Sequence, residues 1–113
     1  MHTGIKRLRE FEEAFRELGC CVTGATNGVQ IHHVKGRKFK HNKVLIGGHF
    51  ILPLHYDLHM VTGSNPNAYH KNKRGFIDEF GQPRVLWLKC YTKVQDLYTI
   101  EESIINSIMD CRI

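Results

Sequence analysis

The sequence predicts a small α+β domain. Helical periodicity marks both ends of the chain, and short β-branched runs separated by Gly- and Asn-containing turns lie between them. A length of 113 residues, 42% of them hydrophobic and 24% charged, suits one domain with a modest core, so residues 1–113 are read as a single unit.

Ile5, Leu8, Phe11, Phe15 and Leu18 recur at three- and four-residue steps with Glu, Lys and Arg between them. Gly19 follows as a stop signal, which predicts an amphipathic helix over residues 3–18. Residues 20–23 and 29–34 are apolar or β-branched and are separated by a turn-rich stretch containing Asn27-Gly28. They predict a β-hairpin. Residues 35–48 are basic, contain glycines and lack periodicity, as a functional loop would. Pro53 suits a first helical turn, so residues 54–60 are expected as a short helix carrying His55 and His59.

Gly63 to Pro66 breaks that helix, and Pro66 opens a second short one through Ala68 and Tyr69. A basic turn ends near Gly75, and residues 76–80 form a short segment closed by Gly81. Residues 83–98 carry Leu86, Cys90, Val94 and Leu97 at mostly helical spacing, although Val85 to Leu88 also suits a strand. Helix is the preferred reading. Thr99 and Glu102 have the spacing of a capping box, and Ile104, Ile105, Ile108 and Met109 form an apolar stripe behind it. The helical flanks therefore cover residues 3–18 and 82–112. Phe76, Phe80, Trp87 and Tyr91 are assigned to the core rather than to a base-stacking surface.

No apolar run reaches the roughly 18 residues of a spanning helix, and the first segment alternates charged and apolar residues unlike an export signal. A soluble, cytoplasmic protein without membrane partners is expected. Cys20, Cys21, Cys90 and Cys111 contain no C-x-x-C pair and are read as reduced packing residues. The formal net charge of +5 gathers at residues 35–43 (KGRKFKHNK) and 70–74 (HKNKR), a pattern that suits a polyanion.

The eight histidines are unevenly placed, with His32, His33, His49, His55 and His59 close together in sequence. On the predicted helix His55 and His59 are four residues apart and would share one face, as two ligands of one ion would. His32 and His33 end an apolar run, where alternation separates one ligand from one non-ligand. Three neutral imidazoles leave coordination positions open, the mark of a catalytic rather than a structural metal site. His33 is then the candidate general base for activating water. His41 and His70 sit within the basic runs and are read as surface residues.

The order Ile31-His32-His33-Val34, a basic loop, then Gly48-His49-Phe50-Ile51-Leu52-Pro53-Leu54-His55-Tyr56-Asp57-Leu58-His59 resembles the HNH, or His-Me finger, endonucleases. More narrowly it is similar to phage recombination-associated, Ref-like and prophage HNH nucleases, over roughly residues 20–81. The resemblance implies a ββα-metal core of hairpin and metal helix, with His32, His55 and His59 as ligands of one divalent ion and His33 as base. Magnesium, manganese, nickel and zinc are the candidate ions; an imidazole-only set favours the softer ones. The chain has His55 where many relatives have Cys, and His49-Phe50 where many have Asn just before the helix. His49 is thus a candidate for a residue that does not touch the ion but orients one of its ligands.

The resemblance also implies DNA as substrate, cut with little sequence preference, in a phage recombination or DNA-processing role in the host cytoplasm. Lys35, Arg37, Lys38, Lys40, Lys43, Lys71, Lys73 and Arg74 would hold its phosphates without reading bases. A homodimer and a recombination-protein partner are compatible with it. The alternative from another class is a zinc-stabilised nucleic-acid-binding module, with a closed coordination shell and no catalysis.

Overall fold

Helix α1 (Ile5–Leu18) begins the part of the chain that the computed structural model describes, residues 5–113. Its apolar stripe faces inward: Phe11 and Phe15 are buried, with Ala14 and Leu18 packed beside them. Gly19 ends it with a φ of 87°, a conformation that costs a residue with a Cβ. Positions 3 and 4 of the expected helix lie outside the described residues.

The fold is α+β, with five helices and two small antiparallel sheets among the described residues. Strand β1 (Val29–His33) pairs with β4 (Ile51–His55), in a register that sets Val29 opposite His55 and His33 opposite Ile51. Between them β2 (Lys40–His41) and β3 (Val44–Leu45) form a separate hairpin. The remaining helices are α2 (Tyr56–His59), α3 (Lys73–Phe80), α4 (Pro83–Val94) and α5 (Glu102–Asp110).

Two of these features differ from the sequence reading. The partner of β1 is β4, not residues 20–23, which form a tight turn closed by the Gly24 N–H on the Cys20 carbonyl. The cause is burial. Ile51, Leu52 and Leu54 are wholly enclosed, so this run gains more from a central position than from any surface one. It also lacks the polar alternation that would have advertised a strand.

The second difference follows from the first. Pro53 lies inside β4 opposite Ile31 instead of starting a helix. In a two-stranded sheet each strand keeps a free edge, where a residue without an N–H is tolerated, and the Pro53 carbonyl accepts from Cys21 N at 2.9 Å. Helix α2 consequently begins only at Tyr56, with His55 as its N-cap.

The expected 35–48 loop contains the β2–β3 hairpin, whose turn residues Asn42 and Lys43 both have positive φ, 52° and 67°. That combination is the one a two-residue hairpin requires. Residues 66–69 form turns rather than a helix, and residues 76–80 belong to α3. Residues 83–94 are helical, as preferred over a strand. Helix α5 starts at Glu102 after Glu101, which makes no side-chain cap, while the Thr99 hydroxyl donates to the Gln95 carbonyl instead of capping.

The core joins α1 and β4 to Leu86, Trp87, Cys90, Tyr91 and Val94 of α4, with Phe76 and Ile108 at its sides. Trp87 stacks on Tyr91 at 4.9 Å and donates its indole N–H to the His49 carbonyl at 2.7 Å. Phe76, Trp87 and Tyr91 are therefore packing residues. All four cysteines are free thiols. No helix among the described residues is long and apolar enough to cross a membrane.

Candidate metal centre

A five-residue strand and a one-turn helix bring the first two histidines together. His32 and Gln30 are two residues apart on β1 and so share a face. His59 ends α2, directly after β4. The chain then turns back. Tyr69 N donates to the Leu58 carbonyl at 2.7 Å and His70 N to the His59 carbonyl at 3.2 Å, which straps residues 69 and 70 along α2.

Three ring nitrogens converge as a result. His32 Nδ1 lies 3.1 Å from His59 Nε2, and His70 Nε2 lies 3.2 Å from the same atom. Ligand atoms of all three residues lie within 4.8 Å of one another. Nitrogens bound at about 2.0–2.1 Å to a tetrahedral ion stand about 3.3 Å apart, the spacing of the two pairs that share His59 Nε2. A hydrogen-bonded reading is less complete, because His59 Nε2 has one lone pair to share between two neighbours.

The tautomer of His59 is set by its other nitrogen. Gln30 Oε1 lies 2.8 Å from His59 Nδ1, and an amide oxygen only accepts. Nδ1 must donate, which leaves the Nε2 lone pair directed at the cluster. His32 is buried and His70 exposed, so the site runs from the interior to the surface.

Burial keeps the His32 and His59 rings neutral. Burial, then the neighbouring His59, His70 and His33, lowers His32 to about 3. Burial and His70 lower His59 to about 4. Neutral imidazole is the form that binds a metal. The Tyr69 ring packs on His32 with centroids 4.1 Å apart, and burial raises its hydroxyl to about 12, so it stays protonated.

His33 lines an open cleft of about 440 Å³ beside the cluster, together with His32, Tyr69, His70, Lys35 and Lys73. Its pKa is lowered by burial and by Arg37, against an opposing pull from Glu12. Glu12 Oε2 lies 3.2 Å from His33 Nε2.

The structure thus unites His32 and His59 of the expected ligands and leaves His55 apart. His55 is the last residue of β4, and its Nδ1 accepts the Asp57 N–H at 3.2 Å as a helix cap. The predicted shared face required a helix already formed at position 54, and none exists there. His49 is also elsewhere: it is buried edge-on against Phe11 and lines a small cavity with Arg7, Tyr98 and Glu101. Burial lowers its pKa, opposed by Glu101. The residue that orients a cluster histidine is Gln30, not His49.

Sequence reasoning missed His70 and Gln30. Gln30 was legible as the i−2 neighbour of His32; His70 was hidden in a basic run, its one signal the adjoining Ala68 and Tyr69, both buried. All eight predicted phosphate-binding residues are exposed. Lys35 and Lys73 line the histidine cleft, and Lys73 and Arg74 line a neighbouring one with Arg112. Lys38, Lys40, Lys43 and Lys71 line neither of these two clefts. Lys40 and Lys43 ride on the β2–β3 hairpin, which Asp110 clips to α5 through His41 (3.0 Å) and Asn42 (3.1 Å).

No protein-family model, curated protein or solved structure matches the chain.

Proposed function

We propose that the chain is a metal-dependent endonuclease that hydrolyses DNA phosphodiester bonds, with β1, β4 and α2 as a ββα-metal unit. The observation that carries this reading is the convergence of His32, His59 and His70, two of which, His32 and His70, line a cleft with His33 and two lysines. The three imidazoles fit a divalent ion of the softer kind, zinc or nickel, by donor chemistry. When bound, such an ion supplies a Lewis acid that neutralises charge on the phosphate and the departing oxygen.

The side chains supply the rest. His33, neutral at physiological pH, accepts a proton from water as its oxygen attacks phosphorus. Lys35 and Lys73 hold phosphates on either side of the scissile bond, and neither reads bases. His32, His59 and His70 fix the ion's position, and Gln30 fixes His59.

Cleavage of supercoiled plasmid tests the reading, with EDTA, magnesium, manganese, nickel or zinc present. Cutting that requires metal, is lost in His33→Ala with metal retained, and is lost together with metal in His59→Ala is the expected result. Tight zinc in a protein that cuts under no condition would replace this reading with that of a zinc-stabilised binding module.

A further inference from the structure

Helix α1 lies outside the part of the chain that resembles a nuclease, yet it delivers a carboxylate to His33. Glu12 Oε2 stands 3.2 Å from His33 Nε2, and the two side chains are only 16% and 14% exposed. Arg37 approaches the same oxygen at 3.5 Å from solvent, with its own side chain 72% exposed. Exposed ion pairs do little, but this pair is shielded, and its geometry has a chemical consequence.

A carboxylate oxygen accepts hydrogen bonds and donates none, so the nitrogen facing it carries the proton. In neutral imidazole the other nitrogen then holds the lone pair. We propose that Glu12 is a positioning residue for His33, holding the ring as the Nε2–H tautomer and leaving Nδ1 to take the proton from water. This inference rests on the reading of His33 as general base.

The step balances as follows. The water oxygen bonds to phosphorus, its proton passes to His33 Nδ1, and the bond from phosphorus to the 3′-oxygen breaks. The leaving oxygen takes a proton from solvent. The imidazolium that forms keeps its Nε2–H on Glu12, whose charge stabilises it, and later returns the Nδ1 proton to solvent. Arg37 holds the carboxylate from the outer side.

The test pairs a spectroscopic signature with kinetics. Nitrogen-15 spectra of histidine-labelled, metal-free protein at neutral pH distinguish the tautomers, with His33→Ala assigning the signals. The wild type should show Nε2 protonated and Nδ1 bare at His33. Glu12→Gln, whose amide oxygen also accepts, should keep that pattern; Glu12→Leu should mix the tautomers. With supercoiled plasmid and manganese, Glu12→Leu should lower kcat about 100-fold at unchanged KM, with Glu12→Gln intermediate.

A protonated Nδ1 in the wild type, or an unchanged tautomer in folded Glu12→Leu, overturns the proposal. So does a kcat indifferent to the Glu12→Leu change. A wild type that cuts nothing with any metal overturns the nuclease reading instead, and the tautomer spectra still decide whether Glu12 sets the ring.

Discussion

Gln30 and His59 are joined through a 2.8 Å contact between the amide oxygen and Nδ1, which fixes the histidine as the tautomer whose Nε2 faces His32 and His70. The strand thus contributes an orienting group as well as a ligand. Gln30→Ala should weaken metal binding about 10- to 100-fold without unfolding the protein, as loss of such outer partners does elsewhere. Gln30→Glu, which still accepts, should retain affinity. Competition titration with a chromophoric chelator measures both.

Acid should destabilise the metal-free protein. Folded His32 and His59 titrate at about 3 and about 4, against 6.5 for the free side chain. Between these values the unfolded chain binds more protons than the folded one. Their contribution is therefore complete above about pH 6.5 and is lost progressively as pH falls toward 3. Thermal melting of metal-free protein should show Tm dropping from pH 7 to pH 5, and His32→Leu should flatten that slope. A Tm insensitive to pH in this window would contradict the burial of the two rings.

Gly28 carries a structural constraint beside His55. Its φ is 67°, and a Cβ there would stand 3.1 Å from His55 Nε2 and 3.2 Å from Tyr56 Cδ1. Gly28→Ala should cost about 1–2 kcal/mol, measured by urea unfolding. Because His55 lies outside the cluster, metal affinity should survive the substitution. Loss of the metal at unchanged stability would link His55 to the ion.

Salt dependence probes the polyanion surface. Removing Lys35 or Lys73, which line the histidine cleft, should weaken DNA binding and reduce the slope of log K against log salt by about 1 each. The effect should be uniform across sequences, since neither contact reads a base. Lys43→Ala, on the hairpin clipped to Asp110, should change the slope less if the DNA follows the cleft. Fluorescence anisotropy at several salt concentrations separates these cases.

Much of this arrangement was legible in the residues, and the misses have physical causes. The terminal helices announced themselves by period, because each buries one stripe, as Phe11 and Phe15 do in α1. His32 and His59 were identifiable as a strand-end and a helical histidine. His55 misled, because Pro53 followed by apolar residues reads equally as a helix start and as an enclosed strand. Only the three-dimensional burial of Ile51, Leu52 and Leu54 decides between them. His70 was hidden because composition placed it on the surface; it is exposed, and also strapped beside His59 by backbone bonds that no sequence pattern encodes. The β1–β4 pairing bridges the whole basic loop, a distance at which local turn signals such as Asn27-Gly28 carry no information.

The identity of the ligand set is the central claim, and metal affinity in two single variants tests it most directly. Zinc binding to wild type, His70→Ala and His55→Ala can be compared by isothermal titration calorimetry at one pH. With His32, His59 and His70 as ligands, His70→Ala should lower affinity by at least about 10-fold while His55→Ala leaves it within about 3-fold of wild type. Loss of affinity in His55→Ala with retention in His70→Ala would contradict the convergence of these three rings on one ion.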